Sequence, residues 1–107
     1  MEINSKIEKA KKGDQAAFTF LLDYYWNEVY SFMLKRTENE TTAEDITIET
    51  FSKAFDKIAS YNSEFQFNTW LIAIAKNVYI DLLRKKKTSL FIEITDAEDQ
   101  QAYNIAD

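Results

Sequence analysis

A chain of 107 residues is enough for one small domain, and its 46% hydrophobic and 15% aromatic content supplies an efficient core. Without cysteine or histidine it can build no disulfide staple, Cys-ligated zinc, thiol chemistry, His-based triad or His-containing di-iron bundle. Its single glycine leaves no room for a P-loop or dinucleotide fingerprint, and the net charge of −5 argues against a uniformly basic binder.

With one glycine and no proline, little punctuates the chain, and long helices are expected. A short helix is predicted over residues 3–12, ending at Gly13. Asp14 is suited to cap a second helix, whose apolar residues Phe18, Leu21, Leu22, Tyr25, Val29, Phe32 and Met33 recur on one face as far as Thr37. The polar segment TENETT breaks it. Thr41 with Glu44 three residues later reads as a capping box for a third helix, with Ile48, Phe51, Phe55 and Ile58 as its buried stripe and Ala54 as a point of close approach. A connection is predicted over 59–62. Ser63 and Gln66 form a second capping box, starting a fourth helix at Glu64 that runs to Lys86 and buries Phe67, Trp70, Leu71, Ile74, Ala75, Val78 and Leu82. Three amphipathic stripes need one another, so the expected fold is all-α: a compact bundle of about four helices. From residue 88 the expectation is an irregular acidic tail, with the FIEI segment open to a strand, a docked segment or a linker.

The charge is unevenly spread. Residues 1–50 carry 6 basic and 10 acidic side chains, 51–87 carry 7 and 3, and 88–107 carry none and 5. The average hides a basic middle between acidic flanks. No stretch approaches the roughly 18 apolar residues of a membrane span, and the charged N-terminus MEINSKIEKAKK lacks the apolar core of a signal peptide. A cytoplasmic location is expected, which a cysteine-free chain suits.

Three groups of residues invite a functional reading. On the fourth helix, Asn77, Asp81 and Arg84 fall at i, i+4, i+7, and the run Arg84-Lys85-Lys86-Lys87 follows. Such a basic end either complements the helix macrodipole or attracts phosphates. Tyr61, Phe65, Phe67 and Trp70 crowd one loop and the helix after it. Phe67 and Trp70 are assigned to the core, whereas Tyr61 and Phe65 suit either packing or a platform on which unpaired bases stack. Glu44, Asp45 and Glu49 place acids in the first turns of the third helix, where the macrodipole favours them. No nucleophile, metal-ligand set or Gly-rich loop accompanies them, so neither catalysis nor a cofactor or metal is expected.

Three stretches, GDQAAFTFLLDYYWNEVY (13–30), AEDITIETFSKAF (43–55) and FNTWLIAIAKNVYIDLLRKKK (67–87), occur in the order and spacing of bacterial sigma factors. The chain resembles the second conserved region of the extracytoplasmic-function (ECF) group over residues 5–87. The resemblance implies a non-enzymatic role in transcription initiation, with two partners: the β′ clamp helices of core RNA polymerase and the non-template single strand of the promoter −10 element. By position, Glu44, Asp45, Ile48, Glu49 and Lys53 would meet polymerase, although the family usually has Gln where this chain has Ile48. The loop containing Tyr61, Asn62 and Phe65 would receive a flipped base, with Trp70 of the FxxWL motif bracing it. Asn77 and Asp81 would face base edges, and Arg84, Lys85 and Lys86 the backbone. Asp81 could instead pair with Arg84 or Lys85. Residues 1–87 would form this domain and 88–107 the start of an acidic linker towards a second, −35-reading domain. The alternative is a helical protein–protein module that binds an anti-sigma protein or adaptor without DNA readout; no membrane or small-molecule substrate is expected.

Overall fold

A computed structural model of the chain describes the backbone of residues 2–102 and the side chains of residues 2–87. Its elements are α1 (Glu2–Lys11), α2 (Gln15–Thr37), α3 (Glu40–Lys57), a 3-10 turn (Ile58–Ser60) and α4 (Phe67–Ala102), an all-α bundle as expected. Among the described residues no helix is long and apolar enough to cross a membrane.

The junction between α1 and α2 is set by two residues. Gly13 adopts φ +96°, a left-handed conformation that only glycine adopts cheaply. Its N–H donates to Ala10 O, and the Asp14 N–H donates to Lys9 O, the pair of bonds that closes a helix end. The Asp14 carboxylate then accepts from the Ala17 N–H at 3.1 Å and opens α2. At the other end of α2, Glu38 takes φ 53° and donates its N–H to Leu34 O. Asn39 follows directly as the cap of α3, its side chain accepting from the Thr42 N–H at 2.9 Å. The Thr41 capping box is therefore corrected: Asn39 is the residue whose short amide reaches the free N–H groups.

Of the stripe expected on α3, Phe51, Ala54 and Ile58 are buried, but Ile48 and Phe55 are not. Ala43, Ile46, Thr47, Thr50, Phe51 and Ala54 point inward, whereas Ile48 is 53% and Phe55 39% exposed. The two threonines can be buried because each hydroxyl donates to the carbonyl four residues back, Thr47 to Ala43 and Thr50 to Ile46, both at 2.7 Å. Ala43 and Ala54 are fully buried beside Ile46 and Phe51, while Ile48 and Phe55 lie at the margin of this face.

The fourth helix starts at Phe67, three residues later than predicted. Asn62 takes the local role assigned to Ser63: its side chain accepts from the Glu64 N–H, and its carbonyl from the Phe65 N–H, making a turn. Phe67, Leu71, Ile74, Ala75 and Val78 bury the stripe of α4 against Leu21, Val29, Met33 and Ile46 of the core. Trp70 and Leu82 are partly buried against it. The backbone remains helical through residue 102, where an irregular tail was expected, since no glycine or proline interrupts it.

Candidate functional site

The loop between the 3-10 turn and α4 is held from several sides. The Tyr61 ring is buried, with centroids 5.2 Å from Phe67 and 5.1 Å from Trp70. Its hydroxyl donates to the Phe65 carbonyl, and its own carbonyl accepts from Lys11 Nζ at 3.0 Å. Lys11 thus ties α1 to the loop across fifty residues of sequence. Of the two aromatics left open by the sequence, Tyr61 packs inward and Phe65 projects, 60% exposed.

Beside this loop lies an open cleft of about 780 Å³, walled by α1, the middle of α2 and the start of α4. Tyr24, Tyr25, Tyr61, Phe65 and Phe67 give it aromatic walls, and Glu28 and Asn68 a polar one. Asn68 Nδ2 donates to Glu28 Oε2 at 2.9 Å, fixing the carboxylate. Burial pushes the Tyr25 hydroxyl above its ordinary pKa, helped by the nearby Tyr24, Glu28 and Tyr61; burial does the same to Tyr61. Both phenols stay protonated and able to donate at neutral pH. Asn62 is exposed on the same loop.

The outer residues of α3 divide between three surfaces. Asp45, Glu49 and Lys53 line a groove with Asp81 and Lys85 of α4, over an apolar floor of Ile46, Val78 and Leu82. Within it Lys53 pairs with Glu49 at 3.7 Å. Ile48 belongs to a neighbouring apolar groove with Phe18, Leu22, Trp26, Phe51 and Phe55. Glu44 faces Trp26 and Tyr30 of α2 instead. The five α3 positions therefore share one helix but not one contact surface.

The residues named on α4 also separate. Asn77, Asp81, Arg84, Lys85 and Lys86 are all exposed, but Asp81 and Lys85 turn to the α3 groove. Asp81 pairs with Arg84 at 3.9 Å, both largely solvated, so the pair adds little stability. The sequence reading overlooked Glu28, Asn68 and Lys11. Each acts through a contact between distant segments, which no local spacing announces.

Open clefts, exposed charged grooves and aromatic walls are the conspicuous surface features of this small helical bundle among the described residues. Comparison with known proteins assigns it to a family. Residues 21–88 match the family model described as Sigma-70 region 2. The chain is 39% identical over 93 residues to the ECF RNA polymerase sigma factor SigW of Bacillus subtilis, covering 87% of this chain and 50% of that one. It is 34% identical over 93 residues to the ECF sigma factor BldN of Streptomyces coelicolor, covering 86% of this chain and 34% of that protein. Among solved structures, an engineered region 2 of sigmaE in complex with GTAAAA superposes with a TM-score of 0.77 at 29% identity, covering 84% of this chain and 94% of that one. The chain belongs to the sigma-70 region 2 family, as a region 2 domain of the ECF type. It spans half or less of the length of these two sigma factors.

Proposed function

We propose that this chain docks a sigma factor onto core RNA polymerase and captures the non-template strand of the promoter −10 element, in the cytoplasm and without catalysis. The observation that carries the reading is the likeness, across nearly the whole domain, to an engineered sigmaE region 2 solved in complex with GTAAAA. The loop cleft suits that task. Phe65 offers an exposed ring for stacking, and the Tyr25 hydroxyl, Glu28 and Asn68 offer donors and an acceptor for a base that has left its stack. Asn62, Asn77 and Asp81 are the proposed readers of base edges, and Arg84, Lys85 and Lys86 the backbone contacts. Tyr61, being buried, is assigned to the floor of the cleft.

The outer side of α3 is the proposed polymerase face. Asp45, Glu49 and Lys53 supply charge, and Ile48 with Phe55 supplies adjoining apolar surface; Glu44 lies at its margin. Charge gives orientation and speed of encounter, while the apolar groove gives lasting contact. The test is titration with a purified β′ clamp-helix fragment at two salt concentrations, with Asp45→Lys plus Glu49→Lys in parallel. Saturable binding that weakens with salt and is abolished by the double reversal is expected. Absence of binding at either salt overturns the polymerase reading and leaves an anti-sigma or adaptor protein as the partner of this face. For DNA, Asn77→Ala and Asp81→Ala are expected to relax sequence preference among single strands; unchanged preference removes both from the readout.

A further inference from the structure

Two cations stand over one aromatic ring where the end of α2 meets α4. The Arg36 guanidinium lies 4.3 Å and Lys76 Nζ 5.7 Å from the centroid of Phe32, so the two positive centres are at most about 10 Å apart. Both residues are exposed. The macrodipole accounts for a cation in the last turn of α2, but not for Lys76 inside α4. Among the described residues, ion pairs form between Lys53 and Glu49 and between Arg84 and Asp81, and neither Arg36 nor Lys76 has a carboxylate partner. Two like charges held near one ring repel each other, and an anion bound by both relieves that repulsion.

From Lys76 a solvent-facing stripe continues along α4 at i+4, i+7 and i+11 through Ile80, Leu83 and Lys87, with Arg84 beside it. Ile80 and Leu83 are 43% and 46% exposed, apolar surface between cations. Lys85, by contrast, lines the groove against α3. Basic character on α4 is thus split between an inner groove shared with acids and an outer stripe that meets Arg36.

We propose that Arg36 and Lys76 form a phosphate-binding pair that carries the DNA backbone from α4 across to the end of α2. The inference rests on the single-strand capture proposed above and assigns to it two residues outside the basic run. A row of spaced cations with apolar surface between them matches a phosphodiester chain, whose anions repeat while its sugars and bases fill the intervals. The overall charge of −5 repels nucleic acid at long range, so attraction must come from such a local face.

The test uses the full chain and a fluorescein-labelled DNA single strand, with affinity measured by anisotropy over a series of salt concentrations. Each phosphate neutralised contributes about 0.7 to the slope of log affinity against log salt for a single strand. Arg36→Ala plus Lys76→Ala is expected to flatten that slope by about 1.4 and to weaken binding several-fold at low salt. Arg36→Lys plus Lys76→Arg, which keeps both charges, should restore the slope, and Lys85→Ala should change it less than the double variant. Wild-type binding with an unchanged slope in the double variant overturns this inference alone. No binding by the wild type overturns it together with the single-strand reading. A double variant that keeps its DNA affinity but loses the β′ clamp fragment makes the pair a protein contact, which also overturns it.

Discussion

Tyr61 shows how one side chain can organise a whole loop. Its ring joins Phe67 and Trp70, its hydroxyl holds the Phe65 carbonyl, and its carbonyl receives Lys11. Tyr61→Phe preserves the packing and removes one hydrogen bond, leaving the Phe65 carbonyl to water. The expected cost is about 1 kcal/mol, read as a lower midpoint in urea unfolding, with faster amide exchange confined to residues 61–66. The same phenol makes stability depend on alkaline pH. Because Tyr25 and Tyr61 both titrate above 10.0 when folded, the native state keeps protons that the unfolded chain loses near pH 10. Their contribution is complete below that pH and falls as pH rises through the native values. Urea midpoints across pH 9 to 11 should decline less in Tyr25→Phe plus Tyr61→Phe than in the wild type; equal declines would show that neither phenol is responsible.

At the scale of the helix, what the sequence revealed depended on how local the determining contact was. Gly13 and Asp14 were legible because a left-handed stop and a capping carboxylate act within a few residues. The start of α3 was misread because Thr41 and Glu44 satisfy a spacing rule, whereas Asn39 satisfies the N–H groups. Asn39→Ala is therefore expected to destabilise the domain by about 1 kcal/mol, while Thr41→Ala stays close to neutral in the same thermal unfolding assay. The reverse order would reinstate the capping box. The misplacement of Ile48 and Phe55 in the stripe of α3 has a related origin. Thr47 and Thr50 count as polar in any periodicity, yet they hide their hydroxyls in the helix backbone and leave Ile48 and Phe55 outside. That displacement creates the apolar groove next to the proposed polymerase face. Helical spacing brought Asn77 and Arg84 into view, but not Lys76 or Glu28, because Phe32 and Asn68 meet them only after the helices pack; Arg36 lies i+4 from Phe32 on α2, yet only Lys76 makes that contact a pair of cations.

At the scale of the whole molecule, charge is partitioned in a way that packing does not explain. Residues 1–87 hold 13 basic and 13 acidic side chains, so the entire net charge of −5 belongs to residues 88–107. The backbone of α4 carries part of that segment away from the basic end in a defined direction. At 1.5 Å per residue, Glu93 lies about 9 Å and Asp99 about 18 Å beyond Lys87 along the axis. Those distances straddle the screening length, about 10 Å at 0.1 M salt and about 30 Å at 0.01 M. The acidic segment should therefore oppose DNA binding at low salt and matter little near physiological ionic strength. A chain ending at Lys87 is expected to bind a labelled single strand several-fold more tightly than the full chain at 0.01 M salt, with the two affinities converging above 0.1 M. Equal affinities at 0.01 M would mean that the strand lies beyond the reach of these charges, on the loop cleft rather than the C-terminal part of α4. A difference that persists at high salt would point instead to direct occupation of the DNA surface by the acidic segment, since contact is screened far less than field.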